Sequence, residues 1–362
     1  MNFGKLSVVA AVVLLGIVVA ACTVAPPAAP DAAVSETADE AMAMSSSSTL
    51  EQVMERGNVI CIGNASAPGF GFVGEDGSFS GFDIDFCKAL AAAIFGDPEA
   101  YEIRPATASE RFSVLTAGEG DVLIRNTTDT MTRDTDLGGD FAPTIFYDGQ
   151  GIMVRAADGI GSLEDLAGGS VCVATGTTTE LNLADVMAAH GIEYEPVVFE
   201  GVDESVSAYE TGRCDAFTTD KSGLTGRRAV LADPTAHVIL DETLSKEPLA
   251  PMVRHGDNQW EDIVRWVVYA TFLAEELGVS SANVDSMMES SDPNIRRLLG
   301  VDGEFGAKIG LDNDWSYNVI KMVGNYAEIY DRSLGPDTGF YIPRGLNKSW
   351  VDGGLLYAPP IR

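Results

Sequence analysis

Positively charged residues are scarce in this sequence. Its 362 residues include 23 lysines and arginines against 54 aspartates and glutamates, and the formal net charge is −31. Because the basic residues form no cluster, the sequence argues against a protein that follows nucleic-acid phosphates. The acidity favours solubility but selects no ligand. Against this background Arg133, which lies beside a polar loop, stands out as a candidate for holding an anion.

Patterns typical of enzymes and metal sites are also missing. The three histidines, His190, His237 and His255, are scattered, and no Cys-x-x-Cys spacing occurs, so a zinc site is not indicated. There is no Ser/His/Asp order, no Cys/His pair and no pair of carboxylates in a marked context. A glycine-rich string at 69–74, GFGFVG, is spelled like a dinucleotide fingerprint, but another turn follows where a helix should begin. We therefore expect no metal and no cofactor.

The N-terminus has the layout of a secretory signal. An apolar run over 6–21 follows Lys5 and ends in small residues before Cys22, and it is too short and weakly flanked for a membrane span. The Val-Ala-Ala-Cys string ending at Cys22 resembles a bacterial lipobox, in which the cysteine is lipidated; a plain signal peptide or a signal anchor is the alternative. We expect a signal peptide over 1–21 and a disordered tether over 22–48, which is rich in Ala, Pro, Ser, Asp and Glu.

Cysteine usage fits an exported protein. With Cys22 set aside, four cysteines remain: Cys61, Cys87, Cys172 and Cys214. An exported chain permits disulfides, and four cysteines allow three pairings. Sequence spacing favours Cys61–Cys87 and Cys172–Cys214, which would place one bridge in each half of the fold. Four buried thiols are the alternative, because a free cysteine packs well as a small apolar residue.

The first half of the folded part alternates strand and helix patterns. Short apolar runs predict strands at 58–62, 101–104 and 121–125. A helix is predicted over 84–95, with Asp83 as its N-cap. Strands that alternate with helices indicate a parallel α/β sheet, whose ligands bind beyond the carboxyl ends of the strands.

The same pattern returns in a second half. Extended segments at 146–155 and 245–254 bracket it, and strands are predicted between them at 171–175, 196–199 and 214–219. The sequence therefore predicts two α/β halves joined by two extended crossings.

Three polar turns at strand ends are candidate ligand contacts. After the strand at 121–125, the run 126–130 and then Arg133 supply hydroxyls, backbone N–H groups and a guanidinium, which suit a carboxylate. The Gly-Thr-Thr-Thr turn at 176–179 begins a helix and presents free N–H groups at the positive end of its dipole. Asp220 ends a strand in the second half and is suited to holding an ammonium group.

Each of these features has an ordinary structural alternative. Threonine-rich loops with an arginine are commonly solvated, threonine routinely caps helices, and Asp220 in Asp-x-Ser-Gly is also cap-like. Phe70 is either a pocket wall or loop packing. Arg125 is either structural or reaches a side-chain carboxylate of the ligand.

The order of motifs from about residue 50 to the end resembles a known family. The matching segments are CIGNASAPGF, GFDIDFCKALAAAIFGD, DVLIRNTTDTMTRDT, YDGQG, GTTTELNLAD, GRCDAFTTDKSGL, SKEPLAPMVRHGD, NIRRLLG and GLLYAPPIR. They resemble the general L-amino-acid-binding component of polar-amino-acid ABC transporters, in solute-binding protein family 3. The resemblance implies a type II periplasmic-binding-protein fold, with two α/β lobes joined by two hinge strands. Lobe 1 is expected over 49–148 and 251–362, and lobe 2 over 149–250.

The resemblance also implies roles for particular residues. It assigns Arg133 to the ligand α-carboxylate and Asp220 to the α-ammonium group. Further contacts are implied for Asn126, Thr128, Gly176, Thr177 and Thr178. Relatives commonly carry an aromatic where this chain has Asp129, which affects the expected side-chain preference and not the grip on the α-groups.

The implied partners are a free L-amino acid and the membrane permease of an ABC transporter with its cytoplasmic ATPase. We expect a monomer outside the cytoplasm, held to a membrane by a lipid on Cys22, that binds without catalysis. The alternative is an enzyme of the same fold, such as a periplasmic dehydratase that acts on an amino-acid-like substrate. A binding protein returns its ligand chemically unchanged, which distinguishes the two.

Overall fold

The computed structural model of the protein describes residues 48–362. The expected signal peptide, the lipidation site Cys22 and all but the last residue of the tether lie outside the described residues. Between residues 48 and 362, no helix is both long and apolar enough to span a lipid bilayer.

Strands make up both halves of the described chain. In chain order they are β1 (Val59–Gly63), β2 (Ser66–Ala67), β3 (Gly71–Val73), β4 (Phe79–Ser80), β5 (Tyr101–Pro105), β6 (Val122–Leu123), β7 (Gly139–Phe141), β8 (Phe146–Asp148), β9 (Gln150–Arg155), β10 (Ser170–Ala174), β11 (Glu195–Phe199), β12 (Ala216–Asp220), β13 (His237–Ile239), β14 (Glu247–Leu249) and β15 (Met252–Arg254).

Two five-stranded sheets organise the fold. Their strand orders are β5-β1-β6-β15-β7 and β11-β10-β12-β9-β13. In the first sheet β1 pairs in parallel with both neighbours, so that Cys61 is in register with Ile103 and Val122. In the second sheet β10 does the same with β11 and β12. One strand in each sheet, β15 or β9, runs antiparallel to both of its neighbours. The repeated pattern gives two α/β lobes, which confirms the predicted fold class.

Helices cover the sheets. In chain order they are α1 (Thr49–Arg56), α2 (Phe82–Phe95), α3 (Arg111–Thr116), α4 (Met131–Asp136), α5 (Thr178–His190), α6 (Val202–Glu210), α7 (Lys221–Val230), α8 (Asn258–Glu276), α9 (Val284–Met287), α10 (Pro293–Leu298), α11 (Phe305–Ile309), α12 (Trp315–Met322) and α13 (Tyr326–Leu334). Short 3₁₀ helices lie at Ala156–Asp158, Glu164–Leu166, Pro234–Ala236, Gly345–Asn347 and Trp350–Asp352.

The predicted cap of α2 is wrong. The helix begins at Phe82, its N-cap is Gly81, and no side chain makes a capping hydrogen bond. Gly81 has φ of 131°, a conformation that side chains disfavour, and a Cβ there would meet the Phe70 carbonyl oxygen at 2.2 Å. Asp83 is therefore carried into the first turn of the helix, where it is buried and accepts from the N–H of Asn126.

Aromatic packing fixes the wall of the cleft. Phe82 is fully buried and contacts Phe70 and Phe146 edge-on, with both ring centroids 5.8 Å away. Such pairs contribute roughly 0.5–1.5 kcal/mol beyond their burial. The hydroxyl of Tyr326 joins this cluster by donating to the carbonyl oxygen of Ile145 at 2.7 Å. The cluster holds Phe70, which is 1% exposed and lines the cavity described below.

Both predicted disulfide pairings are present. Cys61 on β1 is joined to Cys87 on α2, and Cys172 on β10 to Cys214 ahead of β12. All four side chains are at most 1% exposed. Each bridge therefore lies inside one lobe, within its core.

The two crossings between the lobes lie side by side. β8 and β14 pair in antiparallel register, with Asp148 opposite Glu247. Because this short ribbon connects the two halves, its side chains are brought to the space between the lobes.

Candidate ligand-binding cleft

A cavity of about 70 Å³ is lined by loops from both halves of the chain. The first half contributes Asn64, Ala67, Pro68, Phe70, Ala108, Arg111, Arg125, Asn126 and Thr128. The second half contributes Thr177, Thr178, Thr179, Val202, Thr219, Asp220, Gly223 and Arg227. Of the residues predicted to contact ligand, Arg133 and Gly176 do not line this cavity, whereas Phe70, Asn126, Thr128, Thr177, Thr178 and Asp220 do.

Strand direction explains why these residues meet. The Asn126–Thr128 turn follows β6, the Thr177–Thr178 turn follows β10, and Asp220 ends β12, so all three lie at carboxyl ends of parallel strands. The two sets also touch, because the Thr128 and Thr178 hydroxyl oxygens are 3.3 Å apart. The cleft is therefore closed in this structure.

A strained turn holds the first-half side of the cavity. Asn126 has φ of 41°, in the left-handed region that non-glycine residues seldom adopt. Its N–H donates to Asp83 at 3.2 Å, and its side-chain oxygen accepts from the Asn64 amide at 2.9 Å. Burial raises the pKa of Asp83 to about 7, while the Asn126 N–H and the Arg125 charge oppose that shift. These contacts fix the turn that precedes Thr128.

Arg133 lies behind the cavity wall. One guanidinium nitrogen donates to the carbonyl oxygen of Thr128 at 2.9 Å, and the residue is 7% exposed. Burial lowers the pKa of Arg133, and the nearby carboxylates of Glu247 and Asp220 act in the opposite direction. Its charge therefore acts on the cleft from directly beneath the turn at Thr128.

Arg111 lines the cavity and was not predicted. It is 3% exposed, and its guanidinium donates to the Arg125 carbonyl oxygen at 3.1 Å and lies 4.8 Å from the centre of the Phe112 ring. Its Nε is buried without a hydrogen-bond partner among the described residues. Burial, followed by the charges of Arg133 and Arg125, lowers its pKa well below the usual value. The available signal was a cation in the first turn of a helix, where the helix dipole disfavours it.

Asp220 supplies the opposite charge. It occupies the N-cap position of α7 but makes no capping bond, so the cap-like alternative does not describe its side chain. No described residue donates a hydrogen bond to its carboxylate. Burial raises the pKa of Asp220 well above its usual value, and Asp148 and Glu247 add to the shift, whereas Arg111 and Arg133 oppose it. Asp220 is half-buried, and a carboxylate that is partly withdrawn from water without a donor is costly unless a cation is supplied.

Asp148 lies at the end of β8, on the crossing ribbon, and its charge acts on Asp220. Its oxygens accept from the N–H groups of Gly149 at 2.8 Å and Ser222 at 3.3 Å. Burial nevertheless raises the pKa of Asp148 to about 6. Asp148 does not line the cavity, but its charge repels that of Asp220, which does.

The hydroxyls of Thr177 and Thr178, which are neighbours in the threonine turn, have different roles. Thr177 is the N-cap of α5, because its hydroxyl accepts from the Glu180 N–H at 3.1 Å and donates to the Ala174 carbonyl oxygen at 2.7 Å. Gly176 reaches φ of 72° and donates its N–H to the Glu180 side chain. The capping alternative thus accounts for Thr177, while the Thr178 hydroxyl faces the cleft.

Glu247 was also missed by sequence reasoning. It is 1% exposed, and one carboxylate oxygen accepts from the Thr128 hydroxyl at 2.5 Å and the Thr178 hydroxyl at 2.8 Å. The other oxygen accepts from the Asn182 amide at 2.8 Å and from the Ser245 hydroxyl. Since a hydroxyl has one hydrogen, neither Thr128 nor Thr178 has a side-chain proton left for a ligand. Their oxygens remain acceptors.

Two flanking residues differ in their relation to the cavity. Asp129 is exposed and is not among the residues that line it, so its carboxylate does not enter the binding space. Arg125 lines the cavity, and its Nε donates to the Ala106 carbonyl oxygen at 2.7 Å. Burial lowers the pKa of Arg125 to about 10, with the charge of Arg227 as the next cause.

The fold and cleft define a two-lobed binding protein of the type II periplasmic-binding architecture. The family model for bacterial extracellular solute-binding proteins, family 3, matches residues 59–279. The chain belongs to that family.

Relatives with assigned names match almost the whole chain. The general L-amino acid-binding periplasmic protein AapJ of Rhizobium johnstonii is 51% identical over 319 residues, which cover 88% of this chain and 94% of AapJ. The glutamate/glutamine/aspartate/asparagine-binding protein BztA of Rhodobacter capsulatus is 48% identical over 318 residues, with 88% and 94% covered.

A solved structure confirms the architecture. The ABC transporter periplasmic binding protein of Brucella ovis, with glutathione bound, superposes with a TM-score of 0.85 at 50% sequence identity. The match covers 87% of this chain and 99% of the Brucella protein.

Proposed function

We propose that the protein captures free L-amino acids outside the cytoplasm and delivers them to the permease of an ABC transporter. The observation that carries this proposal is that Arg111 and Asp220, of opposite charge, line one cavity from opposite halves of the chain. A free amino acid has an anionic and a cationic end, and each end meets its complement there. The α-ammonium group would supply the partner that Asp220 lacks among the described residues.

The α-carboxylate is the ligand's anchor on the first lobe. Arg133 beneath the turn and Arg111 at its side provide the positive charge. Backbone N–H groups at the start of α5, beside Thr178, provide donors from the second lobe, because the first turn of a helix leaves them unpaired.

The remaining predicted contacts shape this space. Phe70 forms an apolar wall, Asn126 holds the turn, and the Thr128 hydroxyl oxygen accepts from the α-ammonium group. Gly176 and Thr177 maintain the turn ahead of α5.

Ligand binding bridges the two lobes and thereby favours the closed state. A solute that contacts both sides of the cleft gains interactions that an open form lacks, so it shifts the population toward closure. The closed form is what the membrane permease would recognise, with transport driven by the cytoplasmic ATPase.

The wider setting of the protein follows from the sequence patterns. We propose removal of residues 1–21, a lipid on Cys22 and a tether over 22–48 that carries a monomeric binding domain. We place the lobe boundaries at 49–148 with 251–362, and at 149–250. The ribbon formed by β8 and β14 supports these boundaries.

A thermal-shift screen tests the proposed function. Standard amino acids are added singly to the purified protein, and at least one should raise its melting temperature, because a ligand of the native state stabilises it. Arg133→Ala should reduce the shift at a given ligand concentration while the variant still melts cooperatively. An absence of stabilisation by every amino acid would overturn the proposal.

Mass spectrometry of the recovered solute separates binding from catalysis. We propose that the protein is not an enzyme, and this is supported by relatives that are named as binding proteins. The solute should return with its mass unchanged after prolonged incubation. Conversion of the solute would instead favour an enzyme of the dehydratase type.

A further inference from the structure

Arg125 and Arg227 form a matched pair on opposite sides of the cleft. Arg125 follows β6 in the first half, whereas Arg227 lies on α7 in the second. Both line the central cavity, and both also line an adjoining cavity of about 300 Å³. They therefore stand where the binding space continues away from Asp220.

Each guanidinium is held by one contact and keeps other donors available. The Nε of Arg125 donates to the Ala106 carbonyl oxygen at 2.7 Å, and its terminal nitrogens make no hydrogen bond with any described residue. Arg227 is 9% exposed, and one terminal nitrogen donates to Asp203 at 2.7 Å. No other nitrogen of its guanidinium is hydrogen-bonded within the described chain.

The formal charge of the central cavity is unbalanced. Three arginines, Arg111, Arg125 and Arg227, line it against one carboxylate, that of Asp220. An amino acid with a neutral side chain brings no net charge and leaves this excess uncompensated. Asp203 offsets part of the Arg227 charge, whereas no carboxylate is hydrogen-bonded to Arg125 within the described chain, so the repulsion between the two guanidinium groups favours an added anion.

Acidic residues also line the adjoining cavity. Glu110 accepts from the Thr107 N–H at 3.1 Å, Glu200 accepts from the Ser109 hydroxyl, and Glu204 lies nearby. Asp203 also lines this cavity, so its four carboxylates disfavour an anion there. A second carboxylate is therefore best placed between Arg125 and Arg227 on the side of the central cavity, where the terminal nitrogens of Arg125 have no partner among the described residues.

We propose that Arg125 and Arg227 form a subsite for a second carboxylate of the ligand, beyond the α-amino-acid clamp. This inference rests on the proposed function, because the α-groups must already be held as described. Acidic amino acids carry such a group on the side chain, and γ-glutamyl peptides carry one at the far end. Guanidinium groups from the two lobes can each donate to one carboxylate oxygen, so a ligand bound in the subsite also stabilises the closed state.

Calorimetry with glutamate, glutamine and glutathione tests the subsite. Glutamate and glutamine differ in charge at nearly constant shape, so the wild-type protein should bind glutamate at least about tenfold more tightly. Arg227→Gln and Arg125→Gln should each remove most of that preference while glutamine affinity changes by less than about threefold. Arg228→Gln is the matched control, since Arg228 is on the same helix and lines neither cavity.

The outcomes separate the subsite from the function on which it rests. Equal wild-type affinity for glutamate and glutamine, or equal losses for both in Arg227→Gln, would overturn the subsite while leaving amino-acid binding intact. An absence of binding to any amino acid would overturn both. Glutathione binding that depends on Arg227 would identify a peptide's far carboxylate as an occupant, and binding of glutamate alone would identify the side-chain carboxylate. Melting curves confirm that each variant is folded.

Discussion

The hydroxyl oxygens of Thr128 and Thr178 lie 3.3 Å apart across the cleft, and both groups donate to one oxygen of Glu247. This carboxylate lies on the crossing ribbon and thus ties the hinge to both sides of the binding space. It also determines which way the two hydroxyls point. The ligand then meets two oriented oxygen acceptors, not two free donors.

Glu247→Gln should weaken ligand binding. A glutamine side chain presents an amide nitrogen on one side, so either the threonine pair or Asn182 loses its acceptor. Loss of a hydrogen bond to a charged group costs roughly 1.5–3 kcal/mol, and we expect an affinity loss of that size by calorimetry. Small-angle scattering of the ligand-free variant should show a larger radius of gyration than the wild type.

Glu210→Gln, an exposed change on α6, is the control for that experiment and should alter neither quantity. If Glu247→Gln binds and scatters like the wild type, the carboxylate does not hold the cleft closed.

Arg133→Ala should reduce affinity for acidic and neutral amino acids alike. The lost guanidinium supports the Thr128 carbonyl and supplies charge to the α-carboxylate, and we expect a penalty of about 1.5–3 kcal/mol or more. Arg111→Ala should behave similarly, because Arg111 lines the cavity itself. Calorimetry with glutamate and glutamine measures both, and Arg228→Ala serves as the control. An unchanged affinity in Arg133→Ala would remove that residue from the site.

Amino-acid affinity should fall as the pH is lowered. Burial and the charges of Asp148 and Glu247 raise the pKa of Asp220 in the ligand-free protein. The charges of Arg111 and Arg133 oppose that shift. An ammonium ligand favours the ionised carboxylate, so binding releases a proton wherever Asp220 is protonated in the free protein. Affinity should therefore decline as the pH falls through the range in which Asp220 becomes protonated in the ligand-free protein, and calorimetry in buffers of different ionisation enthalpy should detect the released proton.

Asp220→Asn should bind more weakly at every pH and lose most of this dependence. Asp185→Asn, an exposed change on α5, should retain it. A pH profile in Asp220→Asn that matches the wild type would assign the titration to another group. Asp148 is the first candidate, because burial raises its pKa to about 6.

Loss of either disulfide should destabilise the protein without removing the binding site. In the chain-entropy model, a closed loop of 42 residues at Cys172–Cys214 is worth about 4 kcal/mol, and one of 26 residues at Cys61–Cys87 about 3.5 kcal/mol. Urea unfolding of the paired Cys→Ser variants, without ligand, measures these losses. Calorimetry on the same variants should show amino-acid affinities close to the wild type. An unfolding free energy equal to that of the wild type would mean that the bridge constrains the unfolded chain very little.

Much of the architecture could be predicted because local patterns and tertiary structure agree. Apolar runs gave the central strands, and the order of strands and helices gave two parallel-sheet lobes with polar turns at their carboxyl ends. The wrong cap at Asp83 shows where local patterns fail. Aspartate before an apolar helix is a common cap, but Gly81 begins the helix earlier because it can adopt a backbone conformation that brings it against Phe70.

The missed cleft residues share a different cause. Arg111, Glu247 and Arg227 are charged residues on segments that resemble solvated surface, yet tertiary contacts bury all three. The position of Glu247 in the cleft depends on two tertiary features. β14 must pair with β8, and the Thr128 and Thr178 turns must both reach its carboxylate. The spacing of residues along the chain therefore could not predict that these three side chains meet.

The ribbon of β8 and β14 also affects how the chain can be divided. Since Asp148 and Glu247 lie opposite each other on this ribbon, the intervening segment leaves and rejoins the rest of the protein at a single place. That segment can be exchanged with its counterpart from a relative as one cassette, because the two splice points need no spacer to meet. Recombination at these points would pair a new half-site with an unchanged one, and so vary solute preference without rebuilding the core of the host lobe.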